Sequence, residues 1–124
     1  MESIFIRATE ATPGIDFNPI EGLLIIKGRS HPENAKTFFG PLIEWCENYV
    51  EDPPDRTILR IQLEHFNTIS SKSLLDVFRT LQPIQKLEKE LLVDWYYESD
   101  DEELLDAGQT YQEITGLPFK MVPY

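Results

Sequence analysis

The residues best suited to chemistry lie in one hydroxyl-rich stretch, "NTISSKS", at positions 67–73. It places Thr68, Ser70, Ser71 and Ser73 within six positions, between an apolar strand pattern and an apolar helix pattern. A serine at the start of a helix accepts a hydrogen bond from a free backbone amide, so Ser70 or Ser71 is predicted to cap the helix. One cap does not require four hydroxyls.

The surplus of hydroxyls in this stretch suits a phosphorylation site. A strand that runs into a helix places the connecting loop at the carboxyl edge of a parallel sheet, where open α/β folds hold their sites. A phosphoryl group on Thr68, which follows Asn67, would carry roughly −1.5 to −2 charges and would be stabilised by the free amides of the helix start. Lys72, one turn into the helix, would supply a further contact. The residues alone leave capping and modification both open.

A second candidate segment is "SHPENA", residues 30–35, which joins a predicted strand to the first predicted helix. Asn34 or Ser30 is suited to cap that helix, and Glu33 would lie near the positive end of the helix dipole. Capping explains this composition as well as a functional role does, so both interpretations remain.

A small acid–base enzyme is the alternative from a different class of protein. His31 and His65 are 34 positions apart, and a site would need both of them together with Glu33 or Glu64. Histidines at surface or strand-end positions are the plainer interpretation. There is no glycine-rich phosphate loop, nucleophile elbow or helical histidine pair, so we expect no cofactor and no metal site. Cys46 falls on an apolar helix stripe and is expected to be buried and inert.

Composition restricts the classes of partner. The chain has 124 residues, 41% of them hydrophobic, which fits one domain with a substantial core. Its 11 basic and 22 acidic residues give a formal net charge of −11, which repels nucleic-acid backbones and anionic lipid. We therefore expect neither nucleic acid nor membrane as a partner. A single cysteine, and a start without a signal-peptide pattern, predict a cytoplasmic protein.

The strands and helices that must position these residues alternate along the chain. Apolar alternation and apolar runs predict strands in "SIFIRATE", "TPGIDF", "LLIIKGR", "RTILRIQLEHF", "LLVDWYYES" and "PFKMVPY". Apolar residues at steps of three and four predict helices in "SHPENAKTFFGPLIEWCENYVED", after the hydroxyl-rich stretch, and in "DDEELLDAGQTYQEITG". Pro41 predicts an irregular or kinked start of the first helix, Pro83 a kink or division of the second, and Gly116 the end of the third.

This order of elements predicts an α/β fold. The strands on either side of "NPIEG" are spaced for a hairpin, and the later alternation of helices and strands indicates βαβ crossovers. We expect a single domain over residues 1–124, with a mixed, mostly parallel sheet, an N-terminal β-hairpin and about three helices.

Four segments also resemble the SiaC family regulatory phosphoproteins, small bacterial proteins of threonine-phosphorylation switches that control diguanylate cyclase signalling and biofilm formation. The segments are "ATPGIDF", "GLLIIKGRSHPENAKTFFGPLIEW", "LEHFNTISSKSLLDVF" and "VDWYYESDDEELLDAGQTYQEITGLPF", which together span nearly the whole chain. Thr68 matches the family's phosphoacceptor threonine. Ile69 stands where the family often has another hydroxyl, a departure that would alter kinase recognition. The family is similar in architecture to STAS domains, so the resemblance implies a STAS-like fold.

The resemblance implies a non-enzymatic signalling switch. A partner Ser/Thr kinase would phosphorylate Thr68, a PP2C-type phosphatase would reverse the modification, and the unphosphorylated form would bind and activate a diguanylate cyclase or another output protein. The alternative is a STAS-type anti-anti-sigma factor that binds an anti-sigma kinase. The expected phosphosite neighbourhood and partner surface comprises Asn67, Ser70, Ser71, Lys72, Pro32, Glu33 and Asn34.

Overall fold

The computed structural model describes all 124 residues and joins every strand into one six-stranded sheet. The strands lie side by side in chain order. This arrangement confirms the predicted α/β fold with three α-helices. The elements are β1 (Ile4–Ile6), β2 (Gly14–Asn18), β3 (Leu23–Ser30), α1 (Ala35–Tyr49), β4 (Arg56–Phe66), α2 (Thr68–Leu81), a 3₁₀ helix (Gln82–Leu87), β5 (Glu90–Tyr97), α3 (Glu102–Thr115) and β6 (Phe119–Pro123).

Strand direction divides the sheet into two halves. The pairs β1–β2 and β2–β3 are antiparallel, whereas β3–β4, β4–β5 and β5–β6 are parallel. The β2–β3 hairpin pairs Asn18 with Leu23, and the Asn18 side chain accepts hydrogen bonds from the amides of Ile20 and Glu21. Gly22 closes the turn with a φ of +70°, a conformation that glycine adopts readily. The predicted hairpin and mostly parallel mixed sheet are confirmed.

All three helices pack on the same face of the sheet. Each helix joins two parallel strands that are neighbours in chain order, and right-handed crossovers then place successive helices on one side. The opposite face therefore carries no helix. Three aromatic contacts with the sheet show this common face. The ring centroids of Trp45 (α1) and Phe17 lie 5.1 Å apart, those of Phe78 (α2) and Phe119 lie 5.4 Å apart, and those of Tyr111 (α3) and Trp95 lie 5.5 Å apart.

The two helical prolines have different effects. Pro41 lies inside α1, and the helix continues through it without a break, so this proline does not divide the helix. The proline ring is exposed, and the buried side chains of Phe39 and Leu42 hold the helix against the sheet. Pro83 lies in the 3₁₀ helix that follows α2 directly, so the predicted division at this proline is confirmed.

Cys46 is fully buried on the inner side of α1, as its position on the apolar stripe predicted. Burial raises the pKa of its thiol to about 12, with a further increase from the charge of Glu47. The thiol is therefore protonated at neutral pH. None of the helices is both long enough and apolar enough to cross a membrane.

Candidate functional site

The strands β3 and β4 end side by side at the carboxyl edge of the parallel half of the sheet. Ser30, the last residue of β3, is paired with Phe66, the last residue of β4. The helices α1 and α2 begin a few residues beyond these ends. The structure thus brings together the two segments that the sequence singled out, "SHPENA" and "NTISSKS".

An asparagine caps each of the two helices at this edge. The Asn34 side chain accepts a hydrogen bond from the Thr37 amide at 3.2 Å, which confirms one of the two caps predicted for α1. The Asn67 side chain accepts a hydrogen bond from the Ser70 amide at 2.8 Å. Both caps satisfy a backbone donor that has no partner inside its helix.

The prediction that Ser70 or Ser71 caps α2 is wrong. The helix begins earlier, at Thr68, because Asn67 has an extended backbone (φ −86°, ψ 173°) and its short amide side chain reaches the first turn. The two serines consequently lie inside that turn, where their hydroxyls are free to bond to other elements.

Ser70 and Ser71 join the start of α2 to its neighbours. The fully buried Ser70 hydroxyl donates to the Ser30 carbonyl oxygen at 3.1 Å and accepts from the Ser30 hydroxyl at 2.8 Å. The Ser71 hydroxyl lies 2.9 Å from the Tyr111 hydroxyl, which donates to the Ser71 carbonyl oxygen at 2.8 Å. These bonds anchor α2 to β3 on one side and to α3 on the other.

The Tyr111 hydroxyl keeps its proton at neutral pH. Burial raises its pKa above the ordinary value of 10.0, and the hydrogen bond with Ser71 lowers it by a smaller amount. Tyr111 therefore remains a hydrogen-bond donor to the start of α2 over the physiological range.

Thr68 differs from these serines because its hydroxyl is exposed and makes no hydrogen bond within the chain. It occupies the first position of α2, where the backbone amides of Thr68 and Ile69 also have no partner in the chain. Lys72 is exposed one turn further along, and Ile69 exposes 60% of its surface. An anion attached to the Thr68 oxygen would therefore lie beside unpaired N–H donors at the positive end of the helix dipole.

The neighbouring "SHPENA" segment is partly buried. Pro32 is buried, whereas Glu33 and Asn34 are exposed beside the start of α1. The backbone amide of His31 donates to the Ala11 carbonyl oxygen at 2.6 Å, which ties this segment to the loop between β1 and β2. The glutamate and the asparagine are thus the residues of this segment most accessible to a second molecule.

His31 and His65 are in contact, although they are far apart in the sequence. Nε2 of His31 lies 2.7 Å from Nδ1 of His65, and the two ring planes are inclined by 17°. The local sequence patterns do not reveal this pair, because it depends on a register shift between Gly28 and Arg29 in the pairing of β3 with β4. Arg29 of β3 lies opposite His65 in that register.

The structure only partly assembles the acid–base site weighed as an alternative. The two histidines contact each other, but neither ring is hydrogen-bonded to a carboxylate. Glu64 and His65 line a small cleft of about 140 Å³ that does not include Glu33. No group of three or more histidine, cysteine, aspartate or glutamate side chains is arranged to hold a metal ion.

A family pattern and solved structures point to the same family. The SiaC family regulatory phosphoprotein pattern matches residues 6–124. An uncharacterized protein of Pseudomonas aeruginosa (strain UCBPP-PA14) is 28% identical over 119 residues, which cover 96% of this chain and 94% of that protein. SiaC of Pseudomonas aeruginosa has a structure that matches over the full length of both chains, with a TM-score of 0.89 and 27% identity. A second match is a chain in the crystal structure of the diguanylate cyclase SiaD in complex with its activator SiaC, also from Pseudomonas aeruginosa. The match covers 98% of this chain and 99% of the matched chain, with a TM-score of 0.90 and 26% identity.

Proposed function

The chain belongs to the SiaC family of regulatory phosphoproteins, and we propose that it is a signalling switch controlled by reversible phosphorylation of Thr68. It is thus a regulatory protein rather than an enzyme. SiaC of Pseudomonas aeruginosa is an activator of the diguanylate cyclase SiaD and forms a complex with it. In our proposal the unphosphorylated form of this chain likewise binds and activates a diguanylate cyclase, with residues 1–124 acting as one regulatory domain in the cytoplasm.

The exposed and unbonded hydroxyl of Thr68 is the observation that supports this proposal most strongly. A kinase must reach its acceptor oxygen, and Thr68 lies at the surface in the first position of α2. Ser70 and Ser71 instead use their hydroxyls to hold α2 against β3 and α3. Ser73 is half-buried and lies further along the helix. Thr68 is therefore the exposed hydroxyl of this stretch, and its modification leaves the observed hydrogen bonds intact.

The proposed partner surface combines the starts of α1 and α2. Ile69, Lys72 and Glu33 are exposed there and are able to contact a partner directly. Ser70 and Pro32 are buried, so they support this surface from beneath instead of touching the partner. The complete set of supporting and contacting residues is Pro32, Glu33, Asn34, Asn67, Thr68, Ile69, Ser70, Ser71 and Lys72.

Phosphorylation of Thr68 would change the charge and volume of this surface. The phosphoryl group carries roughly −1.5 to −2 charges, and burying such a group without a counter-charge in an interface is costly. It would also make a chain of net charge −11 more acidic, which slows association with any acidic partner surface. We therefore expect the modified form to release the cyclase. A Ser/Thr kinase adds the group in this proposal, and a PP2C-type phosphatase removes it.

A cyclase assay with phosphorylated and unphosphorylated chain tests the proposal. Unmodified chain and Thr68→Ala are expected to stimulate cyclic di-GMP synthesis by a diguanylate cyclase from the same organism. Kinase treatment is expected to abolish stimulation by the wild type and to leave that by Thr68→Ala unchanged. Thr37→Ala is the matched control, because Thr37 is an exposed threonine in the first turn of α1.

Two outcomes of this assay would reject the proposal. Equal phosphate incorporation into wild type and Thr68→Ala, measured by intact mass, would show that Thr68 is not the acceptor. Failure of the unmodified chain to stimulate any cyclase, together with capture of an anti-sigma kinase from the native organism, would favour the anti-anti-sigma alternative.

A further inference from the structure

The face of the sheet opposite the helices is uncovered along its parallel half. Along each strand, the side chains of this face alternate with those that point into the core. Ile58 and Leu92, which are paired in register on β4 and β5, are half-buried on this face without any helix packed on them. Parallel strands are normally covered on both faces, whereas antiparallel strands commonly face water on one. An open face on β4 and β5 therefore indicates a surface that another molecule covers.

Arg60 and Asp94 lie at the centre of this open face with unused hydrogen-bonding capacity. They are paired in register on β4 and β5. Nε of Arg60 and one carboxylate oxygen of Asp94 are buried and have no hydrogen-bond partner, and Asp94 exposes only 9% of its surface. The Arg60 guanidinium lies over the Tyr96 ring, 5.6 Å from its centroid, and forms no salt bridge with Asp94. Neither side chain is neutralised by a salt bridge within the chain, so each keeps its charge at this face for a bound molecule to pair with.

We propose that the open face binds a second copy of the chain and forms a symmetric dimer. The two-fold axis lies in the interface, parallel to the strands and midway between β4 and β5. The β4 strand of each copy therefore packs against the β5 strand of the other. Arg60 of each copy then faces Asp94 of the other, and Ile58 of each copy faces Leu92 of the other. A two-fold interface uses the same patch twice and must be self-complementary, which this patch is.

Charge at the centre of the face favours a second copy as its occupant. Arg60 and Asp94 cancel each other, so the contact is locally neutral on a chain whose net charge is −11. The two arginines and two aspartates of the dimer alternate in sign around the axis. Burial of the apolar Ile58 and Leu92 side chains drives the association, whereas the charged pairs fix its orientation.

The size of the face is sufficient for a specific but modest interface. Four strands of 5 to 11 residues, about 4.8 Å apart with a rise of about 3.3 Å per residue, present on the order of 500 Å² per copy. Two such faces reach about 1,000 Å² in total, where specific interfaces begin. The starts of α1 and α2 lie on the other side of the sheet, so dimerisation leaves Thr68 accessible. The proposal is therefore independent of the phosphorylation switch.

Sedimentation velocity and native mass spectrometry of the full chain test the dimer. We expect the wild type, whose monomer mass is 14.4 kDa, to show a concentration-dependent dimer of twice that mass. Arg60→Glu and Asp94→Arg each place like charges opposite one another, so each variant alone is expected to dissociate at least about 30-fold more readily. A mixture of the two variants pairs opposite charges and is expected to restore a mixed dimer.

Controls separate the interface from general effects of charge and folding. Asp76→Arg and Arg79→Glu are the same types of charge reversal, made at exposed positions of α2, and are expected to leave the dimer unchanged. Leu92→Lys is a further disrupting variant if Arg60→Glu does not fold by circular dichroism. A wild type that stays monomeric up to several hundred micromolar would overturn the proposal. So would a mixture of the charge variants that fails to associate, or a dimer that the α2 variants weaken equally.

Discussion

The helices α1 and α2 begin at the same edge of the sheet behind an asparagine cap, but they use their first turns in opposite ways. The first helical position of α1 is the buried Ala35, and the third is the exposed Thr37. The first position of α2 is the exposed Thr68, and the third is the fully buried Ser70. One helix hides its first residue and exposes its third, and the other does the reverse.

This difference explains why one helix start suits a phosphate and the other does not. The exposed hydroxyl of α2 belongs to its first residue, Thr68, whose amide has no partner within the chain, whereas the exposed hydroxyl of α1 belongs to its third residue, Thr37, whose amide is bonded to the Asn34 cap. A phosphate on Thr68 lies beside free donors of the helix start. The start of α2 is also anchored to β3 and α3, so the position of the phosphate is well defined. Thr37 therefore provides an internal control for Thr68.

The largest expected difference between the two helix starts is in partner binding. Thr68→Asp places a carboxylate in the proposed interface and is expected to weaken binding to the cyclase by about 30-fold, which corresponds to roughly 2 kcal/mol. Thr37→Asp adds the same charge to α1 and is expected to change the affinity by less than about threefold. Isothermal titration calorimetry measures both. Equal losses for the two variants would show that net charge, and not the position of Thr68, controls binding.

The next largest difference is expected between the third residues of the two helices, Ser70 and Thr37, in their contribution to the free energy of unfolding. Ser70→Ala leaves the buried Ser30 hydroxyl without its acceptor and is expected to lower the free energy of unfolding by about 1–3 kcal/mol. Thr37→Ala alters an exposed side chain and is expected to change the free energy of unfolding by less than about 0.5 kcal/mol. Urea denaturation of both variants gives the comparison. A Ser70→Ala protein as stable as the wild type would mean that the Ser30–Ser70 bonds do not anchor α2.

The two caps should differ less strongly. Asn67→Ala is expected to cost about 1–2 kcal/mol of unfolding free energy and Asn34→Ala about 0.5–1 kcal/mol, because the Asn67 bond is shorter and less exposed. Asn67→Ser retains a capping side chain and is expected to recover most of the loss. The same denaturation curves measure these values. If Asn67→Ser is as unstable as Asn67→Ala, the effect does not arise from capping.

The smallest effect concerns the tyrosine that anchors α2 and has no counterpart at α1. The pKa of Tyr111 is raised in the folded protein, so its contribution to stability is present below about pH 10 and is lost as the pH rises further. Tyr111→Phe should cost about 1 kcal/mol at neutral pH through lost hydrogen bonds, and its stability should fall less steeply above pH 10. Thermal unfolding between pH 7 and 11 tests this. Parallel pH profiles would contradict the assigned role of Tyr111.

Two other buried groups, the thiol of Cys46 and the hydroxyl of Tyr49, set the background for that pH dependence, because burial raises the pKa of both. The thiol pKa rises from 9.0 to about 12 on folding, so stability is lost from about pH 9 upward in the wild type and in Tyr111→Phe alike. The effect of Tyr111 is therefore the difference between the two profiles, not the slope of either one.

The order and type of the elements were predictable from the sequence, because the apolar patterns are strong. The strand predicted from "RTILRIQLEHF" coincides with β4, and Gly116 ends α3 in a left-handed conformation as expected. The first residue of α2 was not predictable. Asparagine, threonine and serine are all good caps, and the choice depends on the extended backbone of Asn67 and on bonds from Ser70 to Ser30, 40 positions away.

The contacts at the candidate site depend on features that local patterns do not encode. A register shift between Gly28 and Arg29 places Arg29 opposite His65, and the adjoining His31 contacts His65. Such a bulge leaves no trace in the apolar alternation. The chemistry of the loop indicated a good place for a phosphate, but the resemblance to a family was needed to select Thr68 among four hydroxyls.

The affinity of the cyclase for chain phosphorylated on Thr68 tests the central claim most directly. The modified protein is prepared with one phosphate per chain, and intact and peptide masses confirm the site before isothermal titration calorimetry against the cyclase. We predict that the dissociation constant rises at least about 100-fold relative to unmodified protein, a loss of roughly 2.7 kcal/mol. A dissociation constant within about threefold of the unmodified value would contradict the claim that phosphorylation of Thr68 switches partner binding.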